Sequence, residues 1–298
     1  MWIPVTFAAA FIQSVRFVLQ KRLRTTALST AGATFARFLF AWPLLLALAL
    51  GYGISQGFEM PCTSAAFWAY GITGAVAQIV GTVCTVALFQ HRNFAVGATF
   101  KNTEVLQTAL ISLVILGEGV GPGVLIALII GVVGVIALSE SPEVQGDLRA
   151  RIFNRATALG LGSGLAFGVA STTYRGAALS MEGGDVFLRA AFGLALLTLV
   201  QTCLMVVWIW LREPGQLARV FAAWRTVGLV GVTSMLGSLG WFTAFGLQKA
   251  AYVKALGQTE LIFSFLFSTL LFGERSTARE LFGIAALVLS VVLVILLG

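Results

Sequence analysis

Long apolar stretches separated by short polar turns make up most of this 298-residue chain. A run of roughly 17–25 apolar residues is long enough to cross a lipid bilayer as an α-helix. Ten such runs can be placed along the chain, at 2–20, 28–50, 65–90, 94–116, 120–139, 157–180, 186–211, 223–248, 251–272 and 277–297. The pattern therefore predicts an all-α membrane protein with ten transmembrane helices.

The longest polar connection divides the ten predicted spans into five and five. It covers residues 140–156, which separate a first five-helix repeat over 1–139 from a second over 157–298. Because five is an odd number, a second copy crosses the membrane in the opposite sense to the first. The two halves are therefore predicted to be inverted repeats, an arrangement that transporters use to open alternately to either side of a membrane.

The clearest repeated segment joins residues 101–118 with residues 257–274, at a constant offset of 156 positions. Both copies carry a Thr-Glu pair inside the apolar run, at Glu104 and Glu260, and both close in Gly-Glu. Four-residue steps continue from each inner glutamate as a polar stripe on one helix face. The stripe consists of Thr108 and Ser112 in the first copy and of Ser264 and Ser268 in the second.

Loop charges predict the orientation in the membrane, because basic residues collect in cytoplasmic loops. The loops after the odd-numbered spans hold twelve lysines and arginines: Lys21, Arg22, Arg24, Arg92, Arg149, Arg151, Arg155, Arg212, Arg219, Arg225, Arg275 and Arg279. The loops after the even-numbered spans hold only Lys249. Both termini and the even-numbered loops are therefore predicted to face the exterior and the 140–156 linker the cytoplasm, as in a multi-pass protein of a bacterial inner membrane.

Composition excludes several other classes of protein. Only 10% of residues are charged and the mean hydropathy is +0.95, whereas a soluble domain has about 25% charged residues. The net charge of +7 is spread over short loops, so no nucleic-acid surface is predicted. The single histidine, His91, and three scattered cysteines form no metal motif, and no hydrolase, zinc-peptidase or phosphate-loop signature occurs. We expect no enzyme, no cofactor and no use of ATP.

The two inner glutamates lie near the middle of their predicted spans, where a charge is costly. Glu104 and Glu260 are each on the order of 15 Å from an interface. A carboxylate at that depth faces a cavity, pairs with a cation or stays protonated. A structural ion pair is one interpretation, but repetition of the charge in both halves favours a transport role. We expect both side chains to approach one central cavity from opposite halves.

Nearby lysines suggest different roles for the two glutamates. Lys101 precedes Glu104 by three residues, close enough on a helix to interact. Gly257 stands at the matching position of the second copy, and Lys254 is expected to extend its long side chain to the interface. Glu260 is therefore predicted to carry the coupling proton, with Glu104 as the second candidate. The Lys101–Glu104 pair is predicted to hold the substrate.

Other polar and aromatic residues lie in spans that would border such a cavity. The predicted substrate-binding residues are Lys101, Glu104, Glu260, Gln78, Tyr174, Trp241 and Arg16, and Arg175 is a further candidate for the wall. For Arg16, Arg37 and Arg189, anchoring at the membrane interface is an equally good interpretation. Aromatic residues in these spans also serve plain packing.

Two further features concern packing and gating. Gly160, Gly164 and Gly168 form a glycine ladder on span 6, which predicts a close helix contact inside the protein or at a dimer interface. Glu118 and Glu274 end their helices at the membrane surface, where they are expected to stabilise the next helix start or a gate.

The five-plus-five plan resembles the EamA-type branch of the drug/metabolite transporter superfamily. The resemblance rests on Leu116-Gly117-Glu118 and Phe272-Gly273-Glu274 at the ends of spans 4 and 9, and on Arg37-Phe38 in span 2. It implies ten helices around a central cavity and small-molecule transport, often export. Members often carry a proline in spans 4 and 9; this chain has none there, and its inner glutamates lie in that region instead.

These observations predict a secondary active transporter that exports a small polar or amphiphilic metabolite by alternating access in exchange for protons. Uptake or facilitated diffusion of an amino acid or organic cation is the alternative within transport, and a membrane-embedded enzyme is the alternative from another class. The expected partners are the substrate, protons and the lipid bilayer. A monomer and a homodimer are both compatible with the sequence.

Overall fold

A computed structural model of the protein describes residues 1–26, 28–88, 101, 103–139, 155–263 and 278–297. Apart from one isolated backbone bridge between Cys62 and Glu182, the regular elements of these residues are α-helices. Their bounds are α1 Trp2–Thr26, α2 Thr30–Leu39, α3 Ala41–Gln56, α4 Ala65–Leu88, α5 Glu104–Leu116, α6 Pro122–Ser139, α7 Arg155–Leu179, α8 Val186–Arg212, α9 Gln216–Ala222, α10 Trp224–Leu247, α11 Ala250–Gly257 and α12 Ala278–Leu297.

The fold is all-helical, and its apolar helices are those of a multi-pass membrane protein. By length and hydropathy, four helical stretches of the described residues can cross a membrane: Thr30–Gln56, Ala65–Leu88, Val186–Arg212 and Trp224–Leu247. Shorter apolar helices lie at Glu104–Leu116, Pro122–Gly134 and Leu281–Leu297. The count of ten spans stays a prediction. The 140–156 linker lies outside the described residues except at its last two positions, in the first turn of α7.

The second predicted span differs from expectation, because it is two helices rather than one. The chain leaves α2 at Leu39, passes through Phe40 and enters α3 at Ala41. Pro43 explains the interruption, since it has no N–H group to donate to the Leu39 carbonyl four residues earlier. A proline is tolerated in the first turn of a helix, so α3 can begin there.

Each inner glutamate lies close after a turn. Thr103 forms the N-cap of α5 and Glu104 is the first residue of that helix. In the second half α11 ends at Gly257, and a turn at Gln258 precedes the helical residues 259–263. Around that turn the Gln258 and Leu261 amides donate to carbonyls three residues back, at 3.2 and 3.0 Å. Neither Thr103 nor Gln258 has a proline next to it.

The helix contacts fall into matched sets. Helix α4 packs along α7, and α1 along α10; α5 contacts α7, and α11 contacts α1. Three further pairs, α3 with α8, α6 with α12 and α5 with α11, join helices that the predicted repeat makes equivalent. Exchanging first-half helices for their second-half counterparts leaves this set of main contacts unchanged.

Helix α5 turns its polar stripe inward and its apolar face outward. Glu104, Thr108 and Ser112 are buried, whereas Leu110 and Val114 are 66% and 83% exposed. A soluble protein would reverse this arrangement, so the exposed face of α5 suits lipid. The predicted inward stripe is therefore present in the first copy, while Ser264 and Ser268 lie outside the described residues.

Candidate functional site

A small cavity of about 30 Å³ lies between the two halves. Its wall consists of Gln13, Arg37, Gln78, Lys101, Glu104, Phe167, Ala170, Ser171, Tyr174, Leu194, Ser238, Trp241, Phe242, Phe245 and Lys254. Five of the seven predicted binding residues are on this wall; Arg16 and Glu260 are the exceptions. A space of this size holds water rather than a metabolite, so the cavity is closed around its charged side chains.

The charged side chains pair across the halves, not within them. Lys101 Nζ lies 3.3 Å from Glu260 Oε1, and Lys254 Nζ lies 2.6 Å from Glu104 Oε1. The expected clamp between Lys101 and Glu104 is therefore wrong as the primary pairing, and so is the premise that Glu260 has no lysine partner. Each carboxylate has a lysine from the opposite repeat.

Aromatic rings support both ammonium groups inside the protein. Lys101 and Lys254 lie 5.9 and 5.8 Å from the centre of the Phe167 ring, and Lys254 lies 4.8 Å from that of Trp241. At such distances the ring face attracts a cation. The Lys254 side chain is only 13% exposed. The expectation that this lysine extends to the membrane interface is therefore wrong.

Glu260 reaches the cavity through a residue that the sequence analysis did not single out. Gln13 of α1 donates its amide to Glu260 Oε2 at 2.5 Å and accepts a hydrogen bond from the Trp241 indole at 3.0 Å. Gln13 thereby joins α1 and α10 to the second inner glutamate. Its signal in the sequence was an amide within the apolar first span.

A second polar cluster includes two residues of the cavity wall. Tyr174 donates its hydroxyl to Gln78 Oε1 at 3.1 Å, and Gln201 donates to the same oxygen at 2.8 Å. Gln201 is fully buried and also bonds the Ala75 carbonyl at 3.1 Å. The cluster joins α4, α7 and α8, so the predicted wall residues Gln78 and Tyr174 are held in place by a glutamine that the sequence analysis missed.

The three arginines have three different environments. Arg37 is buried at 3% exposure and lies on the cavity wall, so it does not anchor span 2 at the interface. Arg16 is equally buried and interacts electrostatically with Glu260 and Arg37, but it is not on the wall. Its role as a ligand stays a prediction. Arg189 donates to the Met181 carbonyl near the start of α8, at 3.1 Å.

Arg175 is not on the cavity wall; it belongs to a polar network that joins the ends of several helices. Its Nε lies 2.7 and 2.8 Å from the two carboxylate oxygens of Glu118, and its Nη1 donates to the carbonyls of Phe245 and Gln248 at 2.6 and 2.8 Å. Lys249 adds a bond to the Gly119 carbonyl at 3.0 Å. These contacts join the ends of α5, α7 and α10 on the face predicted to be exterior. Glu274, the repeat of Glu118, lies outside the described residues.

The glycine ladder is an internal packing face of α7. A Cβ at Gly164 would lie 2.9 Å from the Lys101 carbonyl oxygen, and one at Gly168 would lie 3.3 Å from the Thr108 amide nitrogen. Glycine therefore lets α7 approach the backbone at the start of α5. The same approach lets Ser112 bond Thr172 at 2.9 Å.

The second repeat has glycine where the first has Lys101, because an indole occupies the space. A Cβ at Gly257 would lie 2.4 Å from the Trp241 ring. Gly257→Ala should therefore push Trp241 away from Gln13 and Lys254, and lower the free energy of unfolding by about 1–3 kcal/mol. Equilibrium unfolding in detergent micelles, followed by tryptophan fluorescence, measures both effects.

Gly228→Ala is the matched control. Gly228 also lies in a helix, but nothing comes within 4 Å of a Cβ built there. Alanine should be neutral at this position or stabilise by up to about 1 kcal/mol, since it is the better helix former. Equal stability of the two variants would contradict the tight fit between Gly257 and Trp241.

No group of three or more histidine, cysteine, aspartate or glutamate side chains that could hold a metal ion occurs among the described residues. The described part of the site therefore offers charge pairs, amides and aromatic rings. Such groups bind and release a polar solute without covalent chemistry.

Comparison with known proteins agrees with the geometry. Residues 1–139 match the EamA-like transporter family. An uncharacterized transporter of Helicobacter pylori (strain ATCC 700392 / 26695) is 25% identical over 227 residues, which cover 74% of this chain and 72% of that protein. A solved crystal structure superposes with a TM-score of 0.72 at 14% identity, over 99% of this chain and 96% of the other. The matches confirm the family resemblance recognised in the sequence and a general transport function.

Proposed function

We propose that this chain, whose first 139 residues match the EamA-like transporter family, is a secondary transporter of a small polar or amphiphilic metabolite. Its two five-helix halves are inverted repeats that move against each other, so that the central site opens alternately to either side. Protons couple to this movement through Glu104 and Glu260. Export is the direction that we propose from the family resemblance.

The observation that carries this proposal is the pair of crossed ion pairs. Each one joins a lysine of one half to the inner glutamate of the other, inside a cavity with room only for water. Ion pairs that span the interface between two moving bodies stabilise the closed state and must separate when the bodies part. A substrate that replaces one partner of a pair lowers the cost of that separation.

The symmetry of the helix contacts supports alternating access. The main helix contacts are unchanged when the halves are exchanged. The same set of interactions is therefore available to a conformation open to one side of the membrane and to a conformation open to the other. Turns at Thr103 and Gln258 lie close before Glu104 and Glu260. Discontinuous helices next to buried polar sites are typical of such transporters.

The contacts of Arg175 support the presence of a barrier between the cavity and the predicted exterior. Arg175 joins Glu118, at the end of the first repeated segment, to carbonyls at the end of α10. A hydrogen bond from an arginine N–H to a carboxylate is charge-assisted and therefore among the stronger polar interactions in proteins. In the proposed cycle this contact separates when the site opens toward the predicted exterior.

Proton coupling follows because a proton and a lysine ammonium group compete for each glutamate. A proton on Glu104 removes the charge that holds Lys254, and a proton on Glu260 does the same for Lys101. The crossed pairing gives each carboxylate a lysine, so the earlier division into one proton carrier and one substrate clamp has no basis. We propose instead that both carboxylates take part, one for each half.

We expect Glu104→Gln and Glu260→Gln each to abolish accumulation of substrate driven by a pH gradient. Glutamine keeps the shape of the side chain but cannot bind and release a proton. A ligand is first identified by thermal shift of the purified protein with amino acids, amines and organic anions. Its flux is then measured in proteoliposomes, with and without a pH gradient.

Glu182→Gln is the control, since Glu182 is an exposed loop residue whose described bonds are made by its backbone. It should leave gradient-driven flux unchanged. The proposal fails if either cavity variant still concentrates the ligand at the wild-type rate.

A further inference from the structure

We propose that Arg37 is a subsite for an oxyanion, so that the transported substrate is an organic carboxylate or phosphate with an apolar body. The proposal rests on the transport function above and adds the chemical class of its substrate.

Arg37 is a buried cation that points to the cavity. Its two terminal nitrogens donate to Thr82 Oγ1 at 2.9 Å and to Ser238 Oγ at 3.3 Å, and both acceptors are neutral hydroxyls. None of the ion pairs formed within the described part of the chain includes Arg37. A guanidinium group keeps its charge at any physiological pH, so the charge at this position calls for an anion.

The described part of the site carries an excess of positive charge. Four buried or nearly buried cations, Arg16, Arg37, Lys101 and Lys254, accompany the two inner glutamates. The other acidic residues of the sequence stand in loops or near the ends of predicted spans: Glu59, Glu118, Glu140, Glu143, Asp147, Glu182, Asp185, Glu213, Glu274 and Glu280. Net charge inside a membrane protein is costly. An anionic substrate offsets this excess, whereas an organic cation adds to it.

The surroundings of Arg37 suit recognition by a fork of two N–H groups. The guanidinium plane matches carboxylate and phosphate oxygens, which it commonly binds in a bidentate manner. Thr82 belongs to α4 of the first half and Ser238 to α10 of the second. An anion bound at Arg37 would therefore contact both halves where they meet, and its affinity would depend on their relative position.

The remaining wall indicates an apolar body for the substrate. Tyr174, Leu194, Trp241, Phe242 and Phe245 line the same cavity, and the Tyr174 and Phe242 rings are 5.4 Å apart. Aromatic surfaces of this kind bury a ring or an alkyl group favourably. A free inorganic anion would leave them without a partner.

The first experiment compares matched probes on the purified wild-type protein in detergent. Phenylacetate and phenyl phosphate carry an aromatic ring with an oxyanion, and phenethylamine carries the same ring with a cation. A panel of longer aromatic and aliphatic carboxylates and phosphates extends the comparison. We expect anions to raise the melting temperature and the amine to leave it unchanged. Protection only by carboxylates, or only by phosphates, identifies the oxyanion.

The second experiment removes the guanidinium group. Arg37→Gln should weaken binding of the protective anion by roughly 30-fold or more, the loss typical of truncating one partner of a buried charge pair. Arg37→Lys, which keeps the charge but loses the fork, should give an intermediate loss. Arg189→Gln is the control, because Arg189 also lies in a helix of the second predicted span of its half, but it is not on the wall of this cavity and bonds a backbone carbonyl; it should bind like wild type.

The inference is overturned if no anion of the panel protects the wild-type protein, or if the amine protects it and the anions do not. It is also overturned if Arg37→Gln binds the protective anion with wild-type affinity. If Arg37→Gln does not fold, the affinity of Arg37→Lys for the protective anion is measured instead, and wild-type affinity in that variant overturns the inference. Anion binding in detergent without flux in proteoliposomes would support the subsite and refute the transport proposal, while flux of a cation without anion binding would do the reverse.

Discussion

Replacing Lys101 with methionine should lower the free energy of unfolding by about 3–5 kcal/mol, because it removes the lysine that forms an ion pair with the buried Glu260 carboxylate. The Lys101 and Glu260 side chains are only 10% and 13% exposed, so solvent screens the loss weakly. The double variant Lys101→Met with Glu260→Gln should recover much of this stability, since neither charge then remains. Equilibrium unfolding in detergent micelles measures the difference.

A double-mutant cycle tests the crossed pairing directly. Lys254→Met with Glu104→Gln should behave in the same way, because Lys254 and Glu104 form the second cross-repeat pair. The mismatched combination of Lys101→Met with Glu104→Gln serves as the control and should recover less. If the mismatched double variant recovers its full stability and the two crossed double variants recover none, Lys101 pairs with Glu104 on the same helix, as the sequence favoured.

Gly164→Leu should lower the stability on the order of 4 kcal/mol or more and leave little folded protein. Even a Cβ at this position would lie 2.9 Å from the Lys101 backbone carbonyl. Backbone cannot give way as a flexible side chain can, so α7 would have to move away from the start of α5. Such a shift would also separate Lys101 from Glu260. The yield of monodisperse protein in size-exclusion chromatography measures the effect.

Two variants control for the change in size and for the loss of polarity. Gly162 lies on the same helix with nothing within 4 Å of a Cβ, so Gly162→Leu should give a yield close to wild type. Thr108→Ala removes a buried hydroxyl from the polar stripe without adding bulk, and should cost within about 1 kcal/mol. Equal, intact yields for Gly164→Leu and Gly162→Leu would contradict the close contact between α7 and α5.

The helices and the inward face of α5 could be read from the sequence because both are local properties. An apolar run long enough to span a bilayer forms a helix whatever its neighbours are, and four-residue steps place Glu104, Thr108 and Ser112 on one face. The break at Phe40, where Pro43 divides the second span into α2 and α3, was not predicted from the apolar pattern. The short helix α9 lies in a loop that the apolar pattern passed over.

The sequence analysis singled out Lys101, Glu104 and Glu260, but it did not pair them as the structure does. Sequence spacing relates Lys101 to Glu104 along one helix, whereas the pairing partner Glu260 is 159 positions away. Such a contact depends on how α5 and α11 meet and on the turns at Thr103 and Gln258. Position along a single helix carries no information about either.

The sequence by itself determined an all-helical membrane protein with two buried glutamates at equivalent places in a repeat, because hydrophobicity and periodicity act within a single helix. Only the tertiary structure decided which lysine each glutamate binds, that Arg37 lies on the cavity wall and that Arg175 ties helix ends. It also decided that Gly257 leaves room for Trp241. These features depend on distances of a few ångströms between helices remote in the chain, and such distances follow from packing.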